Sequence, residues 1–387
     1  MSHQLVNPSP DLLRLRNEGY EVEIRGTHLL VSHVPYVNSA RQIEFGTLVS
    51  TLALAGDTVI KPDTHVVHFI GSHPCHKDGS TMSQIQHASA TTTVAEGIVV
   101  NHSFSNKPQD GYPDYHQKMS RYVEIISAPA RSLDPSVTAK TFRVVESKSD
   151  ETVFNYLDTN SSRAEIEAIT EKLKGHKVGI IGLGGTGSYV LDLVAKTPVA
   201  EIHLFDGDTF AQHNAFRAPG APAVEQLRAP SPKVSYFSGI YSKMRREIYP
   251  HAVFLDPANV SLLLGLDFVF ICIDKGRPKK DIVGFLEANG ASFIDVGMGV
   301  QIGDGDLLGI LRTTTSTPAK RDHFKKHVSF DDGDDDDYST NIQIAALNML
   351  NAAFAVIRWK KLCGFLQDFE DEHHSTYSLN VNQLLSE

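Results

Sequence analysis

Cysteine is scarce in this chain. Cys75, Cys272 and Cys363 are scattered through 387 residues, too few and too far apart for a disulfide framework, and a reducing, cytoplasmic setting is expected. Paired C-x-x-C ligands are missing as well, so no structural zinc is expected. Long apolar runs are also lacking. The longest, near Ile342 to Ile357, is broken by Gln343, Asn348 and Asn351 and reads as a core helix rather than a membrane span. Met1-Ser2-His3-Gln4 has neither the charged nor the apolar region of a secretory signal. Basic clusters are absent. With 36 Lys and Arg against 46 Asp and Glu, the net charge is −10, which excludes a surface built for nucleic acid or an anionic membrane.

What is present suits two or three domains by size. A boundary is expected near 145–160, where Glu146-Ser147-Lys148-Ser149-Asp150-Glu151 is uniformly polar. This gives an N-terminal domain over 1–145, a linker over 146–160 and a second domain over 161–387. In the second domain strands near 178–181, 201–205, 252–255, 267–273 and 292–296 alternate with helices near 186–196, 235–248 and 278–289. Such alternation predicts an α/β, Rossmann-like, doubly wound and mostly parallel sheet with its ligand at the carboxyl ends of the strands.

The strand Val178-Gly179-Ile180-Ile181 runs into Gly182-Leu183-Gly184-Gly185-Thr186-Gly187-Ser188, and Asp206-Gly207-Asp208 ends the next strand. Glycines at Gly182, Gly184, Gly185 and Gly187 allow a tight turn and close approach of backbone amides to a phosphate. The helix that follows turns its positive end toward that phosphate. Asp206, 19 residues beyond Gly187, stands where a dinucleotide site places its ribose-binding acid. The loop alone therefore leaves NAD and ATP open. Downstream come Asn214, Arg217, Lys233 and then Asp274, which closes the strand Phe268 to Ile273. A diphosphate cofactor needs no such set of cations, whereas a triphosphate with magnesium does.

At these residues the chain resembles the ThiF/MoeB/HesA family, which includes the adenylation domains of ubiquitin-activating enzymes. The family pattern G-x-G-G-x-G-S, D-x-D with N and R at fixed offsets, a lysine, and an aspartate ending a strand has a counterpart at each position over about 160 to 387. The resemblance implies that Gly182 to Ser188 cradle ATP and that Asp206, helped by Asp208, holds the ribose. It places Asn214, Arg217 and Lys233 on the phosphates and Mg2+ on Asp274. The implied reaction is attack of the C-terminal glycine carboxylate of a ubiquitin-like protein on the α-phosphorus, in a bacterial conjugation pathway. It also implies a homodimer in which Arg163, read here as lying at a helix start capped by Ser161 or Ser162, reaches the partner's site. An NAD-dependent oxidoreductase and a non-catalytic nucleotide-binding scaffold are the competing readings.

Ubiquitin-activating enzymes pass the acyl group to a cysteine in the crossover segment. Between Asp274 and Ile342 this chain has none. Cys272 and Cys363 read as packing residues. The crossover offers Thr313, Thr314, Thr315, Ser316 and Thr317 as hydroxyl alternatives, and Asp331 to Asp337 as a solvated acidic loop suited to contact with a basic partner.

The first 145 residues predict a helix at Pro10 to Asn17, strands near 20–25, 28–34, 42–54 and 64–70, and a helix from Asp114 to Ile126, an α+β arrangement. Lys61-Pro62 and His73-Pro74 flank the last of these strands, and this part resembles ubiquitin-conjugating enzymes. Cys75 replaces the asparagine of their H-P-N, and the expected later cysteine is missing. Cys75, Ser80 or Ser83 become the candidates for a transferred acyl group. His65, His68, His73, Cys75 and His76 are metal-ligand types, but His65 and His68 would point to opposite faces of a strand. Ordinary hydrogen-bonded histidines are the competing reading.

Overall fold

The computed structural model describes residues 6, 9–56, 58–147, 152–330 and 342–387. The acidic run Asp331 to Asp337 lies outside them. The chain divides into two compact units, one of residues 1–145 with 162–164, the other of 146–161 with 165–387. The described part of 146–160, expected as a linker, packs instead on the second unit. Arg246 donates to the carbonyls of Thr152 and Phe154, and Asn155 N bonds Met244 O at 2.8 Å.

The first unit is an antiparallel six-stranded sheet with helices. Helix α1 (Pro10–Asn17) starts on a proline, which suits its first turn. Strands β1 (Glu21–Arg25), β2 (His28–Val37), β3 (Ile43–Thr51) and β4 (Val66–Ile70) follow, then the hairpin β5 (Gln86–Ala95) and β6 (Ile98–Ser105), in the spatial order β1-β2-β3-β4-β6-β5. The hairpin was not expected: β5 is a Ser, Thr and Ala edge strand, exposed along nearly its whole length, and carries no alternation of apolar residues for the sequence to reveal. Helix α2 (Tyr115–Leu133) is capped by Asp114, whose Oδ1 accepts from Gln117 N at 2.6 Å. It is nearly two turns longer than expected, because Pro129 lies inside it without ending it. Tyr115, Met119, Tyr122 and Ile126 from α2 bury against Leu29, Val31, Leu48 and Phe69 from the sheet.

The second unit carries an eight-stranded sheet. Its strands are β7 (Lys177–Ile181), β8 (Glu201–Phe205), β9 (Ile248–His251), β10 (Phe268–Ile271), β11 (Ser292–Gly303), β12 (Asp306–Ser316), β13 (His374–Ser378) and β14 (Gln383–Ser386), in the order β9-β8-β7-β10-β11-β12-β13-β14. β9 through β11 pair in parallel and the remaining strands antiparallel. Helices α3 (Gly185–Ala195), α4 (Lys233–Tyr241), α5 (Gly276–Ala288) and α6 (Ala345–Leu362) complete the expected doubly wound α/β architecture. Val178, Ile180, Phe268 and Phe270 from the sheet meet Val190, Val194, Ala352, Val356 and Trp359 in one core, and Ile181, Val269, Ile271 and Phe293 meet Ile282, Val283 and Leu286 in a second.

Three sequence expectations need correction here. The strand expected over 252–255 is instead β9, where Pro250 is tolerated because the strand is at the sheet edge. Helix α4 stops at Tyr241 rather than near 248, since the fully buried Arg245 turns inward to donate to the carbonyls of Thr197 and Val199 at 3.1 and 2.6 Å. Thr313 to Ser316 are not an open loop. They end β12, buried between β11 and β13, where a hydroxyl cannot meet an acyl group from solvent. Among the described residues, no helix is long and apolar enough to cross a membrane.

Candidate nucleotide site

β7 ends at Ile181, and the chain turns at Gly182, whose φ of 85° is left-handed and whose absent Cβ would stand 2.7 Å from the carbonyl oxygen of Cys272. At Gly187 a Cβ would lie 1.8 Å from the carbonyl oxygen of Gly182, so only glycine lets α3 begin this close to the strand. Gly182, Gly184 and Gly185 line a cleft of about 510 Å³. The first turn of α3 opens toward it with backbone amides that the helix does not use, which suits an anion. Gly187 and Ser188 are not on the cleft wall. Ser188 is buried and donates to Gly185 O at 2.7 Å, serving the helix rather than a ligand.

Asp206, just beyond β8, fixes the loop. Its Oδ2 accepts from Leu183 N at 2.6 Å and its Oδ1 from Asp208 N at 2.8 Å. Lys233, buried at the start of α4, places Nζ 2.7 Å from Asp208 and 3.7 Å from Asp206. Arg217 and Asp274 share the same wall. Arg217 forms no ion pair among the described residues, and its Nε is buried without a hydrogen-bond partner. Asn214 is buried away from the wall, its Oδ1 accepting from Ala211 N at 2.8 Å to cap a short helix. The structure therefore brings Gly182, Gly184, Gly185, Asp206, Asp208, Arg217, Lys233 and Asp274 into one cleft and leaves Gly187, Ser188 and Asn214 as its support.

Arg163 does not start a helix. It ends the short helix Thr159–Arg163, which Asp158 caps by accepting from Asn160 N and Ser161 N, each at 3.0 Å. The arginine is exposed and groups with the first unit.

Several residues on or behind the cleft wall were not anticipated. Asp295, fully buried on β11, binds Lys279 Nζ from α5 at 2.9 Å and Arg312 Nη2 from β12 at 2.6 Å. Thr186 donates to Asn348 Oδ1 at 3.0 Å, tying the glycine loop to α6. A Cβ on Gly185 would lie 1.9 Å from Asn348 Nδ2. Asn351 Oδ1 and Gln343 Oε1, also on the wall, are buried without partners. No spacing rule links these positions, and only the fold gathers them. Cys272 lies on the same wall, but burial pushes its thiol far up, the opposite of an activated nucleophile.

Cys75 is buried, with Sγ 3.3 Å from the carbonyl oxygen of His73, and burial followed by the nearby Asp78 pushes its thiol up. Ser80 is exposed and donates to Asp78 Oδ1 at 2.6 Å, while Ser83 begins a short 3-10 turn. His65 binds Ser105 Oγ at 3.1 Å, and His73 packs edge-on against His102 and Phe104. Among the described residues no three His, Cys, Asp or Glu side chains are placed to hold a metal ion.

Parts of the chain match known proteins. The pattern described as "ThiF family" matches residues 159–386, and a domain of unknown function, DUF6791, matches residues 10–159. A tRNA threonylcarbamoyladenosine dehydratase of Haemophilus influenzae is 26% identical over 142 residues, covering 33% of this chain and 49% of the relative. The chain thus spans about half the length of that curated protein. Among solved structures, E. coli MccB with ATP superposes with a TM-score of 0.47 at 16% identity, over 59% of this chain and 71% of that one. PaaA gives 0.39 at 17% identity, over 57% and 75%.

Proposed function

The chain belongs to the ThiF family, and from that premise we propose that it activates a carboxylate by adenylation with ATP, the acceptor being the C-terminal glycine of a ubiquitin-like protein. One observation carries the reading. The amide-rich start of α3, Arg217, Lys233 and Asp274 all open onto a single cleft of about 510 Å³, a volume within the range of small-ligand sites. Arg217 there has a buried, unpaired Nε, a polar atom awaiting an acceptor.

A triphosphate along the glycine loop would meet the α3 amides and Arg217. Lys233 would leave its contact with Asp208 or share it. The oxygens of Asp206 each retain a lone pair for a ribose hydroxyl. The incoming carboxylate oxygen forms a bond to the α-phosphorus as the bridge to the β-phosphate breaks, and pyrophosphate departs with the electron pair. Positive groups on the non-bridging oxygens stabilise the charge that grows there. Asp274 fits a magnesium ion carried largely by phosphate oxygens and water, the usual way this ion is held; the ion would neutralise charge on the departing phosphates. No side chain need act as nucleophile, and the placement of Cys272 supports a reaction that stops at the adenylate in this unit. The same reading has the enzyme work in the cytoplasm as a homodimer, with Arg163 offered to the partner's cleft. It hands the acyl group to the N-terminal unit or to a separate acceptor.

ATP–pyrophosphate exchange tests it, using small proteins ending in glycine as carboxylate donors. Exchange is expected, and Arg217→Ala should lower it by about 10²- to 10³-fold, as for loss of one donor to a developing oxyanion. Tight NAD binding with no exchange for any donor would sink the proposal.

A further inference from the structure

A second cavity of about 510 Å³ lies wholly within the first unit, between the end of α1, one face of α2 and the segment Thr138 to Lys140. Three arginines and a lysine line it, Arg14, Arg121, Arg131 and Lys140, against two acidic side chains, Glu18 and Glu124. In a chain of net charge −10, such an excess is a local design rather than a reflection of composition. Arg14, His116 and Lys140 all converge on Glu18, at 3.1, 2.9 and 2.8 Å. Burial opposes the charge of Glu18, yet the hydrogen bonds from Lys140 and His116 hold its carboxyl down at about 2. One carboxylate thus organises two cations and a histidine, and leaves the two cations only partly neutralised.

Two groups have no such partner. Arg131 forms no ion pair or hydrogen bond among the described residues. Ser127, only 2% exposed, lines the cavity with an Oγ that is buried and unbonded. A buried hydroxyl without a partner is costly unless something else fills that role. Arg121 is tied only to Glu124, in an exposed pair of little worth. Ser127 and Arg131 stand four positions apart on α2, neighbours on one face of the helix, so the unbonded hydroxyl and the unpaired guanidinium meet the same part of the cavity.

We propose that this cavity binds a small ligand carrying two phosphoryl groups, a diphosphate ester or pyrophosphate, with Arg131 on its anionic oxygens and Ser127 completing the hydrogen bonding. Several guanidinium and ammonium groups along one wall match the many acceptor oxygens of linked phosphoryl groups, whereas a single carboxylate would satisfy only one of them. The site is separate from the ThiF cleft and does not depend on the reaction proposed there.

The test uses the full chain with the nucleotide cleft first saturated by a non-hydrolysable ATP analogue. Titration calorimetry with inorganic pyrophosphate should then show one further equivalent bound, weakening as salt rises. Arg131→Glu, an exposed substitution, should reduce affinity at least tenfold and Ser127→Ala a few-fold, while both variants bind the ATP analogue as the parent does. The proposal is overturned if the protein takes up no pyrophosphate either with or without the analogue, or if Arg131→Glu binds it unchanged. Succinate binding as tightly as pyrophosphate would overturn the phosphoryl assignment.

Discussion

Replacing Asp295 probes a buried charge cluster of the second unit. Its carboxylate is fully buried and serves two cations, with Lys279 6% and Arg312 19% exposed. Removing one partner of a buried pair leaves uncompensated charge and costs about 3–5 kcal/mol. Arg312 is partly reached by water in the cleft, so the lower end applies, about 3 kcal/mol for Asp295→Ala. For a unit of this size each 1 kcal/mol moves the melting temperature by roughly 2–4 °C, which predicts a drop of about 6–12 °C by calorimetry. Asp295→Asn keeps the shape and one acceptor but not the charge, and should suffer most of the same loss. In a cycle with Lys279→Met, the double variant should be less destabilised than the sum of the singles, because the stranded ammonium is gone. A loss below about 1 kcal/mol for Asp295→Asn would refute the view that this carboxylate neutralises two buried cations.

Gly187→Ala should abolish nucleotide binding in equilibrium dialysis, since the new Cβ would need the space 1.8 Å from Gly182 O; unchanged affinity would show that the loop is not held as described. Lys118 of α2 is buried, its ammonium donating to Ser50 Oγ and Thr64 O at 2.9 and 2.8 Å, and burial pushes its pKa down from 10.5 to about 8. The folded state then holds fewer protons than the unfolded one between those values, so stability rises with pH across about 8 to 10.5, by at most about 3 kcal/mol. Buried tyrosines work the other way above pH 10, so the measurement is the difference between urea curves of the parent and Lys118→Met. A flat difference would overturn the assignment. Cys75 should resist iodoacetamide in the folded protein at pH 7.5 and react once unfolded, with peptide mass spectrometry as the readout; rapid labelling in the native state would reopen its candidacy as an acyl acceptor.

The parallel half of the second unit, β9 apart, was legible because its strands are short apolar runs and its glycines sit between one such run and a helix. Helix α1 and strands β1 to β4 were legible for similar reasons. Beyond β11 the signal fades. β12 buries hydroxyls in its last turns, and β13 and β14 are short and polar or exposed, so neither period nor composition marks them. At the site, residues that follow a strand end, such as Asp206 and Asp274, can be placed from the order of elements. Lys279 in Arg277-Pro278-Lys279-Lys280-Asp281 looks like any solvated helix start. Its burial against Asp295 depends on how α5 lies on the sheet, which no local pattern records. Asn348 was hidden in the same way, read as an interruption of an apolar helix when it is the residue that grips the glycine loop.

The strand order of the second sheet has a consequence for how this chain acquires its shape. β7 joins β10 across 90 residues, with Asp267 also accepting from Lys177 N, whereas β11 and β12 form a plain hairpin and β13 with β14 another. The carboxyl-terminal strands are therefore laid down outward, each on a neighbour already in place, once β7 has closed on β10 and, in a second long closure, β13 has returned to β12. Closing a loop of that length is the entropically slow event. On a ribosome the amino-terminal half of the cleft would emerge and wait for β10, Asp274 and Lys279, so that the capacity to hold a nucleotide arrives late and all at once.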